Sequence, residues 1–426
     1  MNSLSIHIKS ILILYLMVSF AVGYNIANGL VVYSYYVITA IITFAYLINI
    51  ILRKKINKVE KIQLSRAIWM IPAFLFTPVA YDISLHMVDI FVSITTLITA
   101  IYVVHNILNN QNPRVNQRIF FIIILYWIAV NIGAMIINAG DNQDGVSYST
   151  AGIYENRNTL AVTGLFFLVN WLFVTSKNIK LFAIISKSIT FSLSLIIIST
   201  LSTKGIIGLC IISISYVLLH LKFNVKQVAG GILTLALLAG LASYFSDIVL
   251  LSIARLVGRF YLDFGGVLDE KTSSLALASQ SIRVELKEAA NAMIMENPVF
   301  GIGLRASEFI LETASGVVTY AHSNYYELAL AVGLIALPIY YAPIVYLFLK
   351  SSYKFARNRR SFNFYTPLTL GLVLLLDSSM VSYKNFAVIF FTTHAIYIYF
   401  HEIKNIQAKK SSLGKPVDTM NLSALR

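Results

Sequence analysis

Residues 119–139 read IFFIIILYWIAVNIGAMIINA, an uninterrupted stretch with no charged side chain. As a helix rising 1.5 Å per residue it would cover about 30 Å, the thickness of a bilayer's hydrocarbon core. Arg114 and Arg118 stand just before it, where basic residues anchor a span to one side of a membrane. This pattern of an apolar run bounded by a basic loop recurs through the whole chain. The residues are 58% hydrophobic and 12% charged, a balance that no soluble domain of this length would tolerate. The expected fold class is therefore an all-α polytopic membrane protein.

The length criterion gives about twelve spans, near 8–28, 30–52, 67–82, 84–107, 119–139, 158–175, 181–201, 205–221, 228–250, 323–349, 362–378 and 385–401. The first lacks a clear small-residue cleavage site and is expected to be a retained helix. Every second connection is basic: Arg53 to Arg66, Arg114 with Arg118, Lys177 with Lys180, Lys222 with Lys226, Lys350 to Arg360, and the tail after His401. The positive-inside rule puts all of these, and both termini, in the cytoplasm. That distribution explains the net charge of +14 without invoking nucleic acid. The single Cys210 lies in an apolar run and excludes an internal disulfide or a cysteine metal site.

The same parity places 140–157, the turn around Lys204, the long stretch 251–321 and the turn 377–384 on the outer side. The expected organisation is spans one to nine over 1–250, an external loop subdomain over 251–321, spans ten to twelve over 322–401, and a basic cytoplasmic tail over 402–426. The tail is expected to lie against anionic headgroups. Inside the loop, Ile253, Leu256, Val257, Phe260 and Tyr261 recur at helical spacing, suiting an interfacial helix. A second helix is expected from Ser281 to Glu296, with Ile282, Leu286, Ala289, Ala290 and Met293 as its apolar stripe. Asn297-Pro298 ends it, and Gly301-Ile302-Gly303 makes a turn.

Chemistry on lipid-linked substrates needs charged, wet groups beside the membrane, and the outer connections supply them. His322 stands at the threshold of the tenth span. Asn324 and Glu327 have capping-box spacing, which puts His322 just outside a helix N-terminus. The local positive potential there favours neutral imidazole, which can accept a proton from a hydroxyl nucleophile. Taken alone, it reads more readily as an interfacial histidine without a chemical role.

Arg283 can grip phosphate oxygens with a two-pronged guanidinium, or pair with Glu285 or Glu288. Arg255, Arg259 and Arg305 compete for the phosphate role. Lys204, in Ser202-Thr203-Lys204-Gly205, is flanked closely by apolar runs and reads either as a functional cation or as a snorkelling lysine. In Asn156-Arg157-Asn158 the asparagines suit helix caps, and Arg157 adds a cation. Asp377 and Lys384 flank the last outer turn, where an ion pair is expected. No Asp-x-Asp pair lies in an outer loop, and no phosphate-binding glycine loop is followed by lysine. The reading therefore calls for no metal and no cofactor.

The order of these elements resembles the O-antigen ligase/polymerase superfamily. The resemblance runs through Tyr154-Glu-Asn-Arg-Asn-Thr-Leu-Ala161, Leu201-Ser-Thr-Lys-Gly205, Arg283, Asn297-Pro-Val-Phe-Gly-Ile-Gly303, His322-Ser-Asn-Tyr-Tyr-Glu-Leu328 and Gly333. It covers roughly the second half of the chain; the first half is similar only in being a set of spans.

The resemblance implies a GT-C-like, metal-independent inverting glycosyltransferase. It would use an undecaprenyl-diphosphate-linked glycan donor on the outer face of a bacterial cytoplasmic membrane. It puts His322 where the family has the histidine that activates the acceptor hydroxyl. Arg283 and Lys204 fall where the family has diphosphate-binding arginines, and Arg255, Arg259, Arg305 and Arg157 are secondary candidates. Lys204 departs from the pattern, keeping the charge but losing the planar fork.

The expected activity is polymerisation of lipid-linked repeats of a capsule, exopolysaccharide or O-antigen. A ligase passing glycan to lipid A-core is the nearest alternative. The partners would be the lipid-linked glycans, membrane lipids and a chain-length regulator protein. A transporter of polysaccharide precursors is the alternative from another class, though it should carry repeated halves and ionisable groups at mid-membrane.

Overall fold

The computed structural model describes residues 3–22, 29–54, 56–108, 112–138, 157–175, 183–200, 202–220, 284–312, 323–359, 362–378 and 382–412. Among the described residues the regular elements are helices. They are α1 (Ser3–Val22), α2 (Gly29–Arg53), α3 (Lys58–Ser65), α4 (Met70–Leu75), α5 (Ile83–Tyr102), α6 (Pro113–Asn138), α7 (Arg157–Asn170), α8 (Ala183–Ser199) and α9 (Thr203–His220). After these come α10 (284–296), α11 (Ser307–Ile310), α12 (Asn324–Val332), α13 (Ala336–Arg357), α14 (Tyr365–Asp377) and α15 (Phe386–Ser412). Five stretches are long and apolar enough to cross a membrane: Tyr33–Arg53, Ile83–Leu108, Arg114–Ile136, Asn158–Thr175 and Phe386–Ala408. Shorter apolar helices accompany them at Ser3–Ser19, Ile184–Ser199, Lys204–Leu219 and Tyr365–Asp377. The span expected at 228–250 lies outside the described residues.

Helix packing follows the apolar faces. α1 packs on α6, α2 on α5, and α7 on both α8 and α9, while α15 lies against α5 and α14. The large aromatic side chains Trp127, Phe166, Phe167 and Trp171 fill the contact between these groups and are fully buried. Exposed apolar side chains such as Ile41, Phe44, Leu52, Phe191 and Ile198 point away from the bundle, as lipid-facing positions should.

Two expected spans are not single helices. The third, 67–82, breaks into turns, the six-residue α4, and a 3-10 turn at Thr77–Val79. Pro72 and Pro78 lack an amide hydrogen, so the ladder cannot run through them. Arg66, grouped above with the basic loop, is instead buried against α15. Arg53 also folds back, meeting Glu60 at 3.0 Å, and Glu60 closes a capping box with Asn57.

The tenth span, 323–349, breaks at Gly333. Its φ of +80° is a left-handed value that suits glycine, and a Cβ there would run into the backbone of Val299. Tertiary contact fixes this break. Leu334 N–H donates to Pro298 C=O at 2.8 Å, Ile302 N–H to Leu330 C=O at 2.8 Å, and Gly303 N–H to Ala331 C=O at 2.9 Å. The 297–303 turn thus docks by its backbone on the end of α12.

Candidate active site

One end of the bundle, where α5 and α15 begin, collects most of the polar groups; it is called the upper end. The antiparallel pair α7 and α14 sets its level. At their lower ends Asn363 Nδ2 donates to Phe173 C=O at 2.6 Å, and Asn170 faces the hydroxyl of Tyr365. Following each helix away from that contact leads to Asn158 on α7 and Asp377 on α14, both at the upper end.

Ser202 precedes α9, and its hydroxyl donates to Asn158 Oδ1 at 2.7 Å, which joins the starts of α7 and α9. Close packing permits this, since a Cβ on Gly205 would lie 2.8 Å from that of Ala161. Arg157 is the first residue of α7 and Lys204, half-buried, the second of α9. Two sequence-predicted site residues therefore stand at the starts of adjoining helices. Asn158 lies inside α7, and accepts the hydroxyl of the residue that precedes α9.

The described turn after α10 connects the remaining elements. Leu286, Ala290 and Ile294 bury the apolar stripe of α10 against Ala329 and Leu330 of α12. Tyr81 N–H donates to Ile302 C=O at 2.7 Å, and Leu304 N–H to His86 Nδ1 at 2.8 Å. His86 Nε2 must then carry the proton that it gives to Ala73 C=O, at 2.8 Å. Nearby, the half-buried Asp82 caps α5, and the Leu85 N–H, with the Ser84 hydroxyl, holds its carboxyl below the usual range.

Arg305 follows in a left-handed conformation, φ +63°, with its guanidinium on Glu308 at 2.9 and 3.0 Å. Lys384 approaches Glu308 at 3.9 Å and pairs with Asp89 at 2.9 Å. The expected pair of Lys384 with Asp377 does not form. Asp89 arrives from α5 and takes both Lys384 and the Tyr383 hydroxyl, at 3.0 Å. Asp377 is instead fully buried among neutral donors. Its Oδ2 accepts Tyr341 O–H at 2.8 Å and Asn324 Nδ2 at 3.3 Å.

The capping box expected of Asn324 and Glu327 is also absent. α12 does begin at Asn324, but Ser323 is its cap residue. Asn324 turns inward, its Oδ1 accepting the N–H groups of Ser382 and Tyr383 at 3.0 and 3.2 Å. Glu327 takes the Ser307 hydroxyl at 2.6 Å. The Ser323 hydroxyl donates to Asp377 C=O at 3.3 Å.

His322, Arg283, Arg255 and Arg259 lie outside the described residues. What the structure brings to the upper end is Lys204, Arg157 and Arg305, together with the chain that enters α12 one residue after His322. It also adds Asp377, whose Oδ1 is buried without a hydrogen-bond partner among the described residues. Sequence reasoning had assigned Asp377 to an ion pair; the signal that could have found it is a lone carboxylate closing an apolar helix.

The bundle of apolar helices with this polar upper end defines a multi-pass membrane protein. Residues 188–341, about a third of the chain, match the model of a family described as O-Antigen ligase, which supports the resemblance to the O-antigen ligase/polymerase superfamily. The matched stretch contains Lys204, Arg283, the 297–303 turn, His322 and Gly333; the Asn156-Arg157-Asn158 segment precedes it. None of the curated proteins matches the chain.

Proposed function

We propose that this protein polymerises undecaprenyl-diphosphate-linked oligosaccharide repeats at the outer face of the bacterial cytoplasmic membrane, with the upper end of the bundle facing outward. The carrying observation is that the family match encloses Lys204, Arg283 and His322, and that its described part converges with Asp377 at that end. His322 takes the proton of the acceptor hydroxyl as that oxygen attacks the anomeric carbon of the donor sugar. The bond to the diphosphate breaks on the opposite side, and configuration inverts. Arg283 and Lys204 stabilise the leaving diphosphate, with Arg157, Arg255, Arg259 and Arg305 as further cations around it. Both substrates are lipid-anchored, so holding them in one cavity supplies much of the rate.

Asp377 acts as a positioning residue for the imidazole. Its Oδ2 is engaged by Asn324 and Tyr341, and its C=O accepts the hydroxyl of Ser323, the residue that follows His322.

In cells, His322→Ala should abolish polymer while the protein still inserts; normal polymer length would remove the catalytic role. Asp377→Asn keeps an acceptor for Tyr341 and removes the charge. It should lower turnover by about 10- to 100-fold with the melting temperature unchanged. A ligase reading draws on the description of the matched family. A gel of surface glycans separates the two. Loss of a polymerase leaves single repeats on the acceptor, while loss of a ligase leaves polymer on its lipid carrier.

A further inference from the structure

Arg66 is 8% exposed and sits between α3 and α4, packed on α15. Its guanidinium Nη1 donates to Thr393 Oγ1 at 2.9 Å and to Gln63 Oε1 at 3.2 Å, both neutral. Among the described residues no carboxylate lies within ion-pairing distance of it, whereas Arg53, Arg305 and Lys384 each reach one. A guanidinium stays charged at any biological pH, so burial cannot be relieved by losing a proton. A buried charge with neutral partners alone is costly.

Arg66 lines a small cavity together with Trp69, Ser93, Tyr340 and Tyr383. Ser93 Oγ is fully buried and has no hydrogen-bond partner among the described residues. Its hydroxyl is therefore a second donor for the same space. The Tyr383 hydroxyl is committed to Asp89, and Asp89 is neutralised by Lys384, so no uncompensated negative charge borders the cavity. The remaining walls, Met70, Leu97, Ile344 and Ile389, are apolar. The space amounts to about 10 Å³ for the centre of a water-sized sphere. That suits one water or one halide ion and is too small for a phosphate group.

We infer that Arg66 and Ser93 form a binding site for a monovalent, halide-sized anion, chloride being the abundant choice. The anion accepts N–H from Arg66 and O–H from Ser93, and it supplies the counter-charge that the fold omits. By doing so it fastens the broken segment 66–82 to α5 and α15. This site is independent of the glycan-transfer reading.

The test uses the full-length protein in detergent, with sodium chloride exchanged for sodium gluconate at constant ionic strength. The wild-type melting temperature should rise saturably with chloride, by about 2–4 °C. Arg66→Gln should abolish that dependence, and Ser93→Ala should move its midpoint to higher chloride. Crystals of the wild type grown in bromide should show an anomalous peak between Arg66 and Ser93. The inference fails if the wild type melts alike in both salts, if Arg66→Gln keeps the chloride response, or if the cavity holds only water in bromide. Should Arg66→Gln not fold, the bromide peak and the Ser93→Ala midpoint decide.

Discussion

Two buried cations are held beside α15 at levels about 13 Å apart, and the fold treats them differently. Lys384 meets Asp89 and Glu308, carboxylates from elsewhere in the chain, and the Tyr383 hydroxyl reinforces the pair. Arg66, nearer the middle of the bundle, meets only an amide and a hydroxyl among the described residues. The contrast separates two uses of charge. At Lys384 opposite charges from distant segments fix how those segments dock, and the pair is complete within the protein. At Arg66 the described residues supply neutral acceptors and no carboxylate, and this is where a small anion is proposed above.

Breaking the Lys384 side should have the largest effect. Lys384→Met leaves Asp89 buried beside a tyrosine hydroxyl and should cost about 3–5 kcal/mol, read as a lower melting temperature in detergent. Adding Asp89→Asn to that variant should restore most of the loss. If the double variant is as unstable as the single one, the pair is not what holds the two segments together.

A smaller effect comes from geometry rather than charge. Gly333→Ala forces a side chain into a left-handed backbone against Val299 and should cost about 2–3 kcal/mol. Because the same turn seats Leu304 on His86, it should also raise amide exchange around Arg305 and Glu308. Unchanged exchange there would mean that the turn and the Lys384 cluster are separate units. The smallest effect is expected from Glu308→Gln, about 1 kcal/mol or less, since its pair with Arg305 is partly solvated and Lys384 keeps Asp89. A loss as large as that of Lys384→Met would overturn the ranking.

The sequence made the helical class readable because lipid imposes long apolar runs that hydropathy detects directly. Helices α2, α5, α6, α7 and α15 follow the expected spans closely. The prolines at 72 and 78 and the glycine at 333 were visible too. How their segments break was not, because the break at Gly333 depends on the backbone of residues 298–303, some thirty positions away. The partner of Lys384 was illegible for the same reason. Asp377 is its neighbour along the chain, but Asp89 on α5 is its neighbour in space.

Of the cations and the histidine that the sequence offers for the candidate site, Lys204, Arg157 and Arg305 lie among the described residues. Its hydrogen-bonded support, Asn324 with Asp377 and Ser202 with Asn158, joins separate helices and leaves no mark on local spacing.

The docking of the 297–303 turn on α12 bears on how such proteins can be rebuilt. Three backbone hydrogen bonds and three left-handed glycines, Gly301, Gly303 and Gly333, join these segments, so neither tolerates a partner of different shape. A chimera that exchanges the sequence before this turn should therefore cut upstream of Asn297, or else carry 297–334 across as one cassette. Cutting between them would separate a lock from its key, however well the two parent sequences align.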